Sequence, residues 1–157
     1  MSELDGKNAS FYKENGAVYL EKLAALKMKI TAMINSVPVE KRILVTAHDA
    51  FNYFGKAFQF QVVGLQGLST AAEAGVKDVQ RLAAFIIAQN VNAIFVESSV
   101  PKRTVEALQE AVRSKGHQIE IGGTLFSDAL GDFGTIEGTY IGMYTYNVKT
   151  IISSLQN

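Results

Sequence analysis

The 157-residue sequence contains no cysteine, and it carries no net charge because 15 Lys and Arg residues balance 15 Asp and Glu residues. The absence of cysteine excludes disulfide bonds, thiolate metal ligands and a cysteine nucleophile from this chain. Without a basic excess the chain has no electrostatic attraction for a phosphate backbone. We therefore expect no nucleic-acid partner.

Long hydrophobic runs are also missing. No apolar stretch approaches the ~20 residues that cross a bilayer. The first residues, MSELDGKNASFYKENG, are polar where a signal peptide would be hydrophobic. We therefore expect neither a membrane anchor nor a signal peptide within the sequence as given. With 48% hydrophobic residues, the chain does have enough apolar material for one compact domain with a core.

Residues 8–37 are predicted to form one long helix, because apolar or small residues recur at alternating steps of four and three. These positions are Tyr12, Gly16, Tyr19, Leu23, Leu26, Ile30, Met33 and Val37. Such a helix would be ~45 Å long, whereas a domain of this size has a diameter of about 26 Å. Part of the helix should therefore overhang the domain or lie against something outside the sequence. Pro38 is expected to end it.

After Pro38, short apolar segments alternate with predicted helices. We predict strands at 42–47, 60–65, 93–97 and 118–122, and helices near 49–57, 75–90, 101–115 and 138–155. Ser69 and Thr70 are candidate caps for the helix near 75–90. This alternation is typical of a parallel sheet covered on both faces. The predicted fold class is α/β, with a long N-terminal helix followed by a four-stranded parallel sheet between helices.

Three ionisable side chains follow the ends of predicted strands. His48 follows the first strand, Glu97 closes the third, and Asp128 lies in GGTLFSDALG after the fourth. Ligands of open α/β sheets bind outside the carboxyl ends of the strands, so these side chains should share one edge. Imidazole nitrogen and carboxylate oxygen suit zinc, manganese or ferrous iron. A structural interpretation also exists for each: a hydrogen-bonded histidine, a capping or salt-bridged glutamate, and a turn-forming aspartate.

Signals of catalysis and nucleotide binding are weak. The segment GLQGLSTAAEAG lacks the lysine of a P-loop and the spacing of GxGxxG, and no serine lies in a GxSxG motif. A flavodoxin-like signalling domain or small enzyme using the same sheet edge is the alternative. Asp49, however, stands alone where a receiver domain would cluster acids. His117 is expected at the surface, at the edge opposite the candidate site.

Several segments, taken in order, resemble a known family. They are AHDAFNYFGKAF, VVGLQGLSTAAEAGVKDVQRL, AIFVESSVPKRTVEAL, GGTLFSDALG and EGTYIGMYTYNVKTI. They resemble the C-terminal half of the metal-binding solute-binding proteins of manganese, zinc and iron ABC importers. The opening LDGKNASFYKENGAVYLEKLAAL resembles the long helix that joins the two lobes of these receptors. The resemblance implies a non-catalytic receptor lobe, with residues 1–38 as the backbone helix and residues 39–157 as the C-terminal α/β lobe.

The resemblance also implies a metal site and partners. In this family two histidines of the amino-terminal lobe, then a histidine or glutamate and an aspartate of the other lobe, hold a metal between the lobes. His48 matches the third position and Asp128 the fourth, while Glu97 becomes a structural carboxylate near the site. The implied cargo is a divalent ion, zinc or manganese, with iron as the third candidate. The implied recipient is a membrane permease, and the implied location is extracytoplasmic.

The sequence departs from the family pattern in what it omits. It lacks the amino-terminal lobe with both of its histidines and the lipid-attachment cysteine. Two ligands are half of the usual shell, so we expect weak metal binding by the isolated chain. Two chains could complete the shell across a twofold axis. Such a homodimer would use the interlobe face and the exposed apolar stripe around Tyr12, Tyr19 and Leu23 of the long helix.

Overall fold

The structure is a computed structural model that describes residues 1–66 and 75–156 of the chain. Helices and strands alternate along these residues as α1 (Ala9–Ile34), β1 (Ile43–His48), α2 (Asn52–Phe58), β2 (Gln61–Gln66), α3 (Val76–Ala88), β3 (Ala93–Glu97), α4 (Lys102–Arg113), β4 (Glu120–Leu125) and α5 (Tyr140–Leu155). The predicted α/β class is confirmed. The predicted caps Ser69 and Thr70 lie outside the described residues. No helix of the described ranges is both long enough and apolar enough to span a membrane.

The four strands hydrogen-bond as two parallel pairs, β1 with β2 and β3 with β4. β1 and β3 are neighbours at the centre, so the strands lie side by side as predicted, but one continuous four-stranded ladder does not form among the described residues. At the carboxyl end of β1, the amide of His48 donates to the carboxylate of Glu97 rather than to the backbone of β3. The carboxyl ends of β1 and β3 therefore meet at one edge.

Helices cover the strands on both faces, because successive side chains of a strand point to opposite sides. In β3, Phe95 is buried in the cluster that includes residues of α1 and α5. Its neighbours Ile94 and Val96 belong to the opposite cluster, which includes residues of α3 and α4. This two-sided burial explains why the strands are nearly continuous apolar runs, as expected for parallel strands buried on both faces.

Only the C-terminal half of α1 packs on the lobe. Its buried residues are Leu26, Ile30 and Ile34, and its main contact is with α5. The large apolar side chains that α1 leaves exposed are Phe11, Val18, Tyr19, Leu20 and Met28. The predicted exposed stripe is thus only partly correct: Tyr19 is exposed, but Leu23 is half-buried against the core. Tyr12 is half-buried too, and its hydroxyl donates to Asp5 at 3.0 Å.

β4 begins at Glu120 and ends at Leu125, later than the predicted 118–122. The prediction ended the strand at its glycines, which are generally unfavourable in strands. Here Gly122 lets α5 approach closely, since a Cβ at this position would lie 2.6 Å from Ser154 Oγ. Gly123 has φ +139° and pairs with Phe95 just after a register shift. The longer strand brings the chain to the shared edge only three residues before Asp128.

Candidate metal-binding site

The three predicted side chains meet at the carboxyl edge of the strands. His48 is the last residue of β1, Glu97 is the last residue of β3, and Asp128 lies in the loop after β4. The imidazole Nδ1 of His48 lies 2.8 Å from Glu97 Oε2, and Nε2 lies 3.0 Å from Asp128 Oδ2. The structure therefore brings together residues that are 49 and 80 positions apart in the sequence.

Glu97 holds His48 at two points. One carboxylate oxygen accepts from the His48 backbone amide at 2.8 Å, and the other faces ring Nδ1. Both residues are buried, each with 2% of its surface exposed, so their polar atoms depend on each other rather than on water. The two atoms are close but are not aligned as a hydrogen bond; a proton on Nδ1, the nitrogen nearest the carboxylate, would leave the lone pair on Nε2. Of the interpretations of Glu97, the structure favours orientation of this histidine over capping of α4, whose N-cap residue is Pro101.

Asp128 differs from His48 in both burial and backbone conformation. Its side chain is 64% exposed, and its φ of 56° lies in the left-handed region that aspartate tolerates better than most residues. With one ring proton on Nδ1, beside Glu97, a hydrogen bond between Nε2 and Asp128 Oδ2 needs a second proton. A metal ion bound to both atoms would take the place of that proton.

Two other ionisable residues near strand ends have separate tasks. Asp49 Oδ1 accepts from the amide of Gly64 at 3.0 Å and so ties the segment after β1 to β2. His117 Nε2 lies 2.8 Å from the carbonyl oxygen of Val91, at the amino end of β3. The prediction that His117 lies at the surface is wrong, because the residue is half-buried. It does lie at the opposite edge from His48, as expected.

Polar residues that the sequence prediction did not name support the site. Thr46 Oγ1 donates to the carbonyl oxygen of His48 at 2.9 Å. Gln66 lies opposite His48 in the register of β1 and β2, and its buried Oε1 has no hydrogen-bond partner within the described ranges. Asn147 of α5 accepts from the amide of Phe126 at the start of the loop that carries Asp128, and Ser127 within that loop contacts Ser99. A polar residue beside apolar ones in a predicted helix, such as Asn147 next to Val148, was the sequence signal that could have identified such a supporting residue.

The described residues offer fewer donor atoms than a metal shell needs. Within residues 1–66 and 75–156, no group of three or more His, Asp or Glu side chains is arranged to hold a metal ion. Glu97 is engaged by the amide and ring of His48, which leaves Nε2 of His48 and the carboxylate of Asp128 facing one point. One imidazole nitrogen and one carboxylate suit zinc, manganese or ferrous iron.

Comparison with protein families gives a match over residues 1–154 to the family described as "Zinc-uptake complex component A periplasmic". The zinc-binding protein TroA of Treponema pallidum is 52% identical over 152 residues, which are 97% of this chain and 49% of that protein. The manganese-binding lipoprotein MntA of Bacillus subtilis is 44% identical over 150 residues, which are 96% of this chain and 49% of that protein. The chain therefore spans about half the length of these relatives.

The solved structure of the periplasmic zinc-binding protein TroA from Treponema pallidum has the same fold. The TM-score is 0.95 with 49% sequence identity, and the match covers 98% of this chain and 56% of that chain. The resemblance to one lobe of a bilobal receptor is thereby confirmed. The flavodoxin-like signalling or enzyme alternative receives no support from these matches.

Proposed function

The chain belongs to the zinc-uptake component A family of metal-binding ABC-transporter receptors, and from this premise we propose that it is one lobe of such a receptor and binds a divalent metal ion. The observation that carries the proposal is the convergence of His48 Nε2 and Asp128 Oδ2 at 3.0 Å. In this function His48 and Asp128 are ligands, and Glu97 keeps the imidazole oriented with Nε2 towards the ion.

The proposal is tested by calorimetric titration of the full chain with zinc and with manganese. His48→Ala should abolish the heat of binding. His117→Ala is the matched control, because it removes the second histidine of the chain at the opposite edge and should leave the titration unchanged. Equal binding by His48→Ala and the wild-type chain would refute the site, and equal loss in both variants would show that histidine content rather than this site was measured.

We propose that binding by the isolated chain is weak. Transition ions of this kind usually take three or four protein ligands in a tetrahedral or larger shell. Two protein ligands leave the remaining positions to water. A second copy of the chain is the proposed source of further ligands in solution, since a twofold contact would present His48 and Asp128 twice.

The identity of the cargo is proposed as zinc or manganese, with iron as the third candidate. One relative is named for zinc and another for manganese, and the N,O donor pair is compatible with each. Zinc forms more stable complexes than manganese at nearly any site of this kind. We therefore expect zinc to displace manganese in the titration, whichever ion the protein carries in the cell.

The place of the chain in transport follows from the family. We propose that it lies outside the cytoplasm, delivers its ion to a membrane permease and has no catalytic activity; the relatives named as periplasmic or as a lipoprotein support this location. We further propose that residues 1–38 are the connecting helix and that residues 39–157 are the lobe. We propose this division as one of function. It is not a division between separate cores, because Leu26, Ile30 and Ile34 of the helix are part of the core of the lobe.

A further inference from the structure

The backbone of Phe126 leaves the sheet just before the candidate metal site. The ladder between β3 and β4 ends with the pair Glu97 and Leu125, and the carbonyl oxygen of Leu125 accepts from the amide of Ser98 at 2.9 Å. β3 then turns, with the amide of Val100 donating to the carbonyl oxygen of Glu97. Phe126 therefore has to pair its own amide and carbonyl with something other than β3.

A single side chain of α5 takes both groups. The amide of Phe126 donates to Asn147 Oδ1 at 2.9 Å, and Asn147 Nδ2 donates to the carbonyl oxygen of Phe126 at 2.8 Å. A carboxamide offers the same donor and acceptor as a peptide group. Asn147 therefore acts as a one-residue substitute for a neighbouring strand and extends the ordered backbone beyond the end of β4.

Packing alone does not explain an asparagine at this position. Asn147 has 6% of its surface exposed, and its neighbours Val148 and Ile151 belong to the hydrophobic core. Asparagine has low helix propensity, and a buried carboxamide is costly unless it is hydrogen-bonded. An apolar residue would serve the helix and the core better. The two bonds to Phe126 are the interaction that only this side chain supplies.

A second contact fixes the next residue. Ser127 is buried, with 6% of its surface exposed, and its hydroxyl lies 2.8 Å from the hydroxyl of Ser99 in the turn after β3. Both residues before Asp128 are thus held, one from α5 and one from that turn. Since the Asp128 side chain is mostly exposed, the direction of its carboxylate depends on the backbone that leads into it.

We propose that Asn147 is a positioning residue of the metal site: by anchoring the backbone of Phe126, it directs the carboxylate of Asp128 at Nε2 of His48. The inference deepens the proposed function and rests on it for the metal-binding role. Asn147 acts through Phe126 and has no contact with the ion.

The test compares Asn147→Leu, which is close in volume and removes both bonds, with Ser154→Ala. Ser154 is the matched control because its hydroxyl donates from the same helix to β4, at the carbonyl oxygen of Gly122 at 2.7 Å. Gly122 lies in the first half of β4, six residues before Asp128. Asn147→Ser is the second variant, to be used if the leucine variant does not fold. Each chain is titrated with zinc, and amide hydrogen exchange is followed residue by residue by NMR without metal.

We expect the zinc affinity of the Asn147 variant to fall by about tenfold or more and that of Ser154→Ala to stay unchanged. The Phe126 amide should lose its protection in the Asn147 variant while the amides of β3 keep theirs. Protection of Phe126 retained in a folded variant would overturn the proposal, as would an unchanged affinity or an equal loss in Ser154→Ala. If the wild-type chain binds no zinc, the proposed function fails, and exchange at Phe126 still decides whether Asn147 anchors this segment.

Discussion

Glu97 is the residue that lies against Nδ1 of His48 and leaves Nε2 as the ring nitrogen that faces the candidate site. Its two oxygens face the backbone amide and ring Nδ1 of the same histidine, so the ring cannot rotate without breaking a buried contact. A carboxylate in this position selects the protonated Nδ1 form and keeps a lone pair on Nε2. Because the pair is buried, water screens the interaction between the two side chains less than it screens a surface salt bridge.

The first prediction at this scale concerns Glu97→Gln. The glutamine oxygen can still accept from the His48 amide, but its NH2 group would donate to Nδ1, and the ring proton would then reside on Nε2. We expect the fold to be retained and metal affinity to fall about 10-fold to 100-fold. Calorimetry measures the affinity, and ring ¹⁵N shifts report the tautomer. Glu106→Gln, an exposed change on α4, should alter neither, and an unchanged tautomer in Glu97→Gln would contradict the mechanism.

A second prediction separates the backbone of Asp128 from its carboxylate. Both Asp128→Gly and Asp128→Ala should lose metal binding, because each removes the ligand. Glycine adopts the observed φ of 56° without strain, whereas alanine pays about 1 kcal/mol or more in the left-handed region. The glycine variant should therefore have the higher free energy of unfolding. Urea denaturation gives the difference, and equal stability of the two variants would show that this backbone conformation is not maintained.

Tyr144 gives a prediction for alkaline pH. Burial, and secondly the nearby Tyr140, raises the pKa of Tyr144 to about 12 from its ordinary value of 10.0. The unfolded chain therefore ionises first, so the stability that neutral Tyr144 contributes is complete below pH 10 and is lost as pH rises towards 12. Urea unfolding at pH 9 and pH 11 measures the loss. Tyr144→Phe should reduce it, whereas Tyr53→Phe, at a residue 91% exposed, should not.

At the scale of elements, Arg42 joins the ends of two helices. Its guanidinium donates to the carbonyl oxygens of Val37 at 3.0 Å, Phe58 at 3.2 Å and Ile34 at 3.3 Å. Ile34 is the last residue of α1 and Phe58 the last of α2, where carbonyl groups have no i+4 partner in the helix and a positive charge is favourable. Arg42 is itself buried. It thus fixes α1 and α2 to the start of β1.

Replacement of Arg42 by lysine should be costly for this reason. A lysine ammonium lacks the fork of donors that reaches three separate carbonyls, and the carbonyl oxygen of Val37 or of Phe58 would lose its bond to the side chain of residue 42. We expect a loss of about 2 kcal/mol in the free energy of unfolding, measured by urea denaturation. The matched control is Arg81→Lys, because Arg81 is exposed and its ion pair within residues 1–66 and 75–156 is with Asp78 of its own helix. A loss no larger than that of the control would show that the cap is not formed.

The ends of elements were harder to predict than their existence. The 3.6-residue period predicted α1, yet the helix ends at Ile34 rather than Val37. The amides of Ser36 and Val37 bond to the carbonyl oxygens of Met33 and Ile34, so the last turn tightens into an i to i+3 pattern before Pro38. Local periodicity cannot distinguish such a turn from continued α-helix. The later start and end of β4 likewise depend on its pairing with β3.

At the scale of the molecule, the exposed half of α1 and the edge that carries His48 and Asp128 are the two surfaces that we expect a second copy of the chain to cover. The five exposed apolar side chains of α1 named above are not among the residues of the two hydrophobic clusters, and of the proposed ligands the carboxylate of Asp128 is mostly exposed. A second copy of the chain would cover apolar surface and add ligands in one step. We therefore expect association to strengthen when zinc or manganese is added.

Sedimentation velocity with and without each metal tests this expectation. The sedimentation coefficient should rise with protein concentration, and more steeply with metal present. Leu20→Lys, a change at a side chain that is 67% exposed, should oppose association by placing charge in the contact. Lys22→Glu is a useful control for charge on the same helix. A monomer at high concentration under all conditions would refute the dimer.

The sequence by itself determined the alternation of helices and strands and the edge at which His48, Glu97 and Asp128 lie. The reason is that helix and strand periods are local properties, and that parallel strands place their carboxyl ends at one edge whatever their order. Only the tertiary structure decided what each side chain contacts. Glu97 could have capped α4 or bound a metal, and its contact with His48, 49 positions away, exists because packing places β1 beside β3. The proposed role of Asn147 arises in the same way, because the amide and carbonyl of Phe126 have no partner on β3 once β3 turns away.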